Sequence, residues 1–208
     1  MSNSRTENSL KNISFSIFNQ LLNTFLTFLS RTVFIMCLNV DYLGISGLFG
    51  DIFSMLCLAD LGFGTAMTYS MYKPLAEKDY DRLAGLIYFY KKVYRIIAIA
   101  ITLIGVALIP FLPYLVNTTT EIQHLNLYYL LMLANVVSSY LVVYKTNILT
   151  ADQKTYLITK YTSVFSVIRT IFSIIFLVIT RSYTVYLVIQ VVFTYGTNFF
   201  NSYLAGKH

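Results

Sequence analysis

The chain has 208 residues, of which 57% are hydrophobic and only 12% charged. A soluble domain carries about 25% charged residues, so this composition excludes one and describes a polytopic membrane protein. Lys and Arg number 15 against 9 acids, a net charge of +6 that would suit nucleic acid were it not for where the basic residues fall.

Residues 1–12 are polar, with Arg5, Glu7 and Lys11, and read as a cytoplasmic tail. They are no cleavable signal, because the apolar run behind them is too long and no A-x-A-like site closes it. About 20 mostly apolar residues suffice to cross a bilayer. Such stretches follow at about 13–38, 45–72, 93–116, 125–149, 156–180 and 183–204. The predicted fold is therefore all-α, a membrane bundle of six transmembrane helices over residues 13–206.

The second stretch does not read like a plain lipid-facing span. Asp51 and Asp60 lie inside it, and within the wider run from Tyr42 to Pro74 Gly44, Gly47, Gly50, Gly62 and Gly64 punctuate it. Charges at membrane depth face a bundle interior or a wet cavity, and glycines let neighbouring backbones approach. Lys73-Pro74 is expected to stop this span, since proline cannot continue the hydrogen-bond ladder. Within 73–92, Leu75, Arg82, Leu83, Leu86 and Ile87 recur at helical spacing, with Glu77, Asp79 and Asp81 early. That segment reads as an amphipathic helix on the inner membrane surface. The chain has 18 Tyr and no Trp, so tyrosine has to supply the interfacial aromatic belt.

Orientation follows from the basic residues. With the amino terminus inside, twelve of the 15 Lys and Arg fall on inner segments and one, Arg181, on an outer turn. Arg31 and Arg169 are left inside spans. The asymmetry places both termini in the cytoplasm and accounts for the net charge without nucleic acid.

Cys37 and Cys57 both fall in apolar spans and read as small buried hydrophobes rather than a disulfide or metal pair. No His, Cys or acid cluster has metal-ligand spacing. No nucleophile–base pair, P-loop or dinucleotide fingerprint is present, so no enzyme activity, cofactor or metal is expected. The informative residues are the intramembrane charges. Arginine at the bilayer centre costs at least about 2.5–3.5 kcal/mol on insertion scales. Arg169, in SVIRTIFSI, lies near the middle of the fifth span and reads as cavity-facing. Arg31, in FLSRTVFI, reads equally as a cavity cation or as the partner of Asp51. A hairpin turning near Asp41 would set residue 31 opposite residues 51–53. Asp60, in LADLG, reads equally as a cavity acid or as half of a structural pair, with Lys145 nearest in depth. Asn19 and Asn23, one helical turn apart, and Asn135, Gln190 and Asn198 read first as polar glue between helices.

The runs SRTVFI, DYLGISGLFGDIFSMLCLADLGFGTAMTYSMYKPLAEKDYDRL and YKKVYRIIAIAITLIGVALIPFLPYL, with TADQKTYLITKY further on, resemble the Wzx-type polysaccharide flippases. These belong to the multidrug/oligosaccharidyl-lipid/polysaccharide exporter superfamily. The resemblance covers nearly the whole chain from about residue 13. The chain departs from it at Asp60, where the family more often has Glu, and in length. The family has two six-helix lobes around a central cavity, and this chain resembles the amino-terminal lobe. The resemblance implies a lobe that helps flip an undecaprenyl-diphosphate-linked oligosaccharide across a bacterial cytoplasmic membrane, for capsule or other surface polysaccharide, by alternating access. Its implied partners are that lipid-linked oligosaccharide, membrane lipid, and a second lobe or oligomer partner. Arg31 and Arg169 are the implied phosphate ligands, since a guanidinium binds phosphate bidentately. The alternatives are a truncated or noncatalytic membrane protein that needs a second lobe, and a drug/cation antiporter of the same superfamily.

Overall fold

The computed structural model describes residues 5–58, 62–116 and 122–207, and every element among them is a helix. α1, Arg5–Cys37, is followed by a turn at Leu38 and Asn39. The Asn39 side chain accepts the Val40 N–H at 2.7 Å and starts α2, Val40–Cys57.

The expected span at 45–72 is two helices. α3, Phe63–Glu77, starts after Gly62, whose φ of 88° is left-handed. Only a residue without Cβ takes that conformation freely. Pro74 does not end the helix as its ring chemistry suggested. It forgoes one backbone bond and packs inside α3 on a buried face shared with Met67 and Met71. The helix ends at Glu77, three residues past Pro74; the Lys78 cap has a φ of 58°, and the Asp79 N–H bonds back to the Pro74 carbonyl at 2.9 Å.

The segment 73–92 is likewise divided rather than a single surface helix. Its first residues close α3, and the rest open α4, Tyr80–Ala107, where Asp79 Oδ1 accepts the Arg82 N–H at 3.0 Å. A 3-10 turn at Ile109–Phe111 and α5, Leu112–Leu115, complete this pass. Pro110 and Pro113 interrupt the α-helical ladder there. Tyr80–Leu115 counts 36 residues, about 54 Å of helix against about 30 Å of hydrocarbon. The excess length accommodates the charged start, with Asp81, Arg82, Lys91, Lys92 and Arg95, outside the apolar layer.

α6, Leu125–Tyr140, and α7, Val143–Ala151, are bent by 43° at their junction. α8, Thr155–Thr180, turns through Arg181, with a φ of 47°, into α9, Tyr183–Lys207. Four helical stretches are long and apolar enough to cross a membrane, and the bent α6–α7 pair makes five. The sixth expected span, α9, has the length at 25 residues but is not among them. Gln190, Asn198 and Asn201 lower its hydropathy.

α1 packs chiefly on α8, α8 on α9, and α9 on α6. Asn12 bonds the Tyr156 N–H and Asn19 accepts from Ser163, so α1 and α8 run parallel with a constant offset of 144 residues. Gln190–Ser173 and Asn201–Thr162 bonds show α9 antiparallel to α8. The buried core is aromatic and sulfur-rich, with Phe49, Met67, Met71, Tyr94 and Tyr129 at 0% exposure. α4 and α6 approach so closely that a Cβ on Gly105 would lie 2.7 Å from Leu133 Cδ1.

Candidate functional site

α1 and α2 diverge from their turn because they serve different neighbours. α1 lies along α8, whereas α2 contacts α4 and α6. The space left between them, backed by α8 and α9, is a partly open cavity of about 330 Å³. α1 supplies Asn23, Thr27, Ser30 and Arg31 to it, α2 Ser46 and Gly47, α8 Arg169 and Thr170, and α9 Tyr186 and Gln190. It lies in the half of the bundle toward the α1–α2 and α8–α9 turns.

Both sequence-marked arginines thus reach one cavity. Arg31 is exposed and Arg169 half-buried. Carried along the parallel α1–α8 pair, Arg31 stands six positions beyond Arg169, about 9 Å along the bundle axis. No ion pair or hydrogen bond engages either guanidinium among the described residues. No acid among the described residues contributes to the lining.

The expected Arg31–Asp51 pair does not form. The turn falls at Leu38–Asn39, not at Asp41, so the residues level with Arg31 are Ser46 and Gly47. Both line the cavity with it. Asp51, about one turn further along α2, is exposed and has neither ion pair nor hydrogen bond among the described residues. Asp60 lies outside the described residues, and its expected proximity to Lys145 with it. Lys145 is half-buried in α7.

The cavity wall is held by an aromatic cluster at the turn end. Tyr183 is 2% exposed and its hydroxyl pairs with Ser46 Oγ at 2.6 Å. Its ring packs on Phe34, Tyr42 and Tyr128, with centroids 5.6, 5.3 and 4.7 Å away. Phe34 in turn meets Tyr186 edge-on at 5.3 Å. Gln190 donates to Ser173 Oγ at 3.2 Å, which fixes its amide beside Thr170. Asn23 bonds back to Asn19 at 2.7 Å, so the polar stripe on α1 serves as glue at its inner end and as cavity lining further out.

Sequence reasoning marked Asn23 and Gln190 but missed Ser46 and Thr170. A signal existed for the second. Ser163, Ser166, Thr170 and Ser173 form the buried face of α8, and small hydroxyl residues in membrane helices mark packed faces. A second cavity of about 310 Å³, lined by Cys57, Val136, Ser139, Tyr140 and Val143, sits at the α6–α7 bend. Cys37 and Cys57 are free thiols. No cluster of three metal-ligating side chains occurs among the described residues.

Among the described residues the chain is all-helical, and four or five of its helical stretches are long and apolar enough for a multi-pass membrane protein, with a polar cavity walled by unpaired arginines between them. No protein-family model, curated protein or solved structure matches the chain.

Proposed function

We propose that the chain is a transporter lobe of six membrane crossings, with both termini on the cytoplasmic side of a bacterial membrane. In this reading α2 with α3 makes one crossing, α6 with α7 another, and α9 the last. The lobe helps flip a lipid-linked oligosaccharide by alternating access, for capsule or other surface polysaccharide. The observation that carries the reading is the convergence of Arg31 and Arg169, neither of them paired, on one cavity. Two cavity guanidiniums without a carboxylate beside them suit an anion, and a diphosphate matches their bidentate fork. Asn23, Thr27, Ser30 and Gln190 add amide and hydroxyl groups suited to sugar hydroxyls. A drug/cation antiporter would need acids in the lining, and no acid among the described residues lines it.

The test is surface-polysaccharide export in cells that depend on this protein. Losing a charge-assisted hydrogen bond costs about 1.5–3 kcal/mol, so Arg169→Ala should lower export about tenfold or more at unchanged protein level. Arg169→Lys should retain part of it, because the charge survives and the fork is lost. Normal export by Arg169→Ala would end the proposal.

A further inference from the structure

We infer that the uncovered face of α2 is the seat of a second copy of this chain, held by reciprocal Arg31–Asp51 pairs. α2 buries Ile45, Phe49 and Phe53 against the core. Its opposite face, Gly44, Gly47, Asp51 and Ser54, recurs at steps of three and four residues and is exposed. A Cβ built on Gly44, Gly47 or Gly50 meets nothing within 4 Å, so this face is bare. α2 is one of the candidate membrane spans, and Asp51 lies eleven residues in from Val40, about 16 Å from that end. An unpaired carboxylate there cannot face lipid without cost. A cationic group covering it would remove that cost.

Arg31, on the neighbouring helix, is exposed and unpaired as well. One edge of the molecule therefore carries a free acid and a free base, and such an edge is self-complementary. A two-fold axis along the membrane normal keeps every residue at its own depth and turns the edge onto itself. Residue i then meets j, and j meets i. Side chains on a helix lean toward its N-terminus. Arg31 on α1 thus leans away from the Leu38–Asn39 turn, and Asp51 on α2 leans toward it. The lean closes most of the offset of about 7 Å between their levels. Gly44 and Gly47 let the two α2 helices approach closely at the axis. In the transport reading the second lobe is then the same chain, and with Arg31 held by Asp51 of the second copy the substrate phosphate falls to Arg169; the test here reads association and not transport.

The experiment is disulfide cross-linking in native membranes, with Cys37 and Cys57 replaced by Ser. Gly44→Cys and Gly47→Cys should give a dimer on oxidation, because cysteines bridge only when their Cα atoms come within about 7 Å. Ile179→Cys, on α8 and 73% exposed, is the lipid-facing control and should not. In the Gly44→Cys background, Arg31→Asp and Asp51→Arg should each lower the cross-linked fraction about tenfold, since each sets like charges against each other. Co-expressing the two single variants with different tags should restore cross-linking between tags only. One chain then carries acids at both positions and the other bases, so both pairs reform across the axis. This rescue also excludes misfolding as the cause of the single losses. Arg169→Ala should leave the cross-link unchanged. Cross-linking of the glycine positions no better than Ile179→Cys would overturn the inference. So would single charge variants that dimerise normally, or co-expression that fails to rescue well-expressed chains.

Discussion

Asn12 is predicted to matter more to stability than Asn19, although Asn19 lies deeper in α1 and makes an equally short contact with α8. α8 begins after Lys154, which provides no side-chain cap. Asn12 supplies the missing cap from another helix. Its Oδ1 accepts the Tyr156 N–H at 2.7 Å, and its Nδ2 donates to the Gln153 carbonyl at 3.0 Å. Asn12→Ala leaves an orphan donor and an orphan acceptor, each worth about 1 kcal/mol, a total of about 2 kcal/mol. Asn19 Oδ1 also accepts two bonds, from Asn23 and from Ser163, both at 2.7 Å. Each of those donors has a fallback, the Asn19 carbonyl at 2.8 Å for Asn23 and the Thr159 carbonyl at 2.8 Å for Ser163. Asn19→Ala should therefore cost only about 0.6 kcal/mol, the usual size of an interhelical hydrogen bond in a membrane. The gap of about 1.4 kcal/mol is tenfold in an equilibrium constant. Reversible unfolding of detergent-solubilised protein, titrated with dodecyl sulfate, resolves it. Asn12→Asp should cost less than Asn12→Ala, because the acceptor remains and a negative charge suits the start of α8. Equal costs for Asn12→Ala and Asn19→Ala would refute the reasoning, because the donors of Asn19 would then have no effective fallback.

Tyr183→Phe keeps the ring in its cluster with Phe34, Tyr42 and Tyr128 but removes the bond to Ser46; the same unfolding assay should show a loss of about 1 kcal/mol. Gly105→Val should destabilise by about 1–3 kcal/mol through overpacking, because the added atoms drive into Leu133, whereas Gly85→Ala, with nothing within 4 Å, should stay neutral. In a cysteine-free chain, Asp79→Cys should react with a membrane-impermeant reagent only after the cells are opened, and Arg181→Cys before. The reverse pattern would invert the proposed orientation.

The helical class and the membrane setting were legible because they rest on sums over many residues. Breaks inside a stretch were less so. Gly62 was visible as one glycine among five in the second span, but nothing local distinguished its left-handed backbone from the helical Gly44, Gly47 and Gly50. Pro74 misled in the opposite sense. A proline within the last turn of a helix sacrifices one hydrogen bond, and burial beside Met67 and Met71 outweighs that loss.

The cavity shows how a site can be right in its members and wrong in its pairing. Arg31 and Arg169 stood out because insertion cost singles out any intramembrane arginine, wherever it points. Which side chain opposes Arg31 depends instead on where the α1–α2 turn falls, and depth counting doubles any error in that position. Moving the turn from Asp41 to Leu38–Asn39 shifts the opposing residue by about five places, more than one full turn of helix. That turn separates Asp51 from Ser46 and Gly47, and so separates a neutralised arginine from a free one. A single residue's capping preference, Asn39 accepting the Val40 N–H, therefore decides whether this edge of the bundle is electrically satisfied within the chain. Changing Asn39 to Ala should blur that turn, costing about 1 kcal/mol. It should also lower cross-linking through Gly44→Cys and Gly47→Cys, whereas Asn39→Asp, which keeps the acceptor, should leave both unchanged.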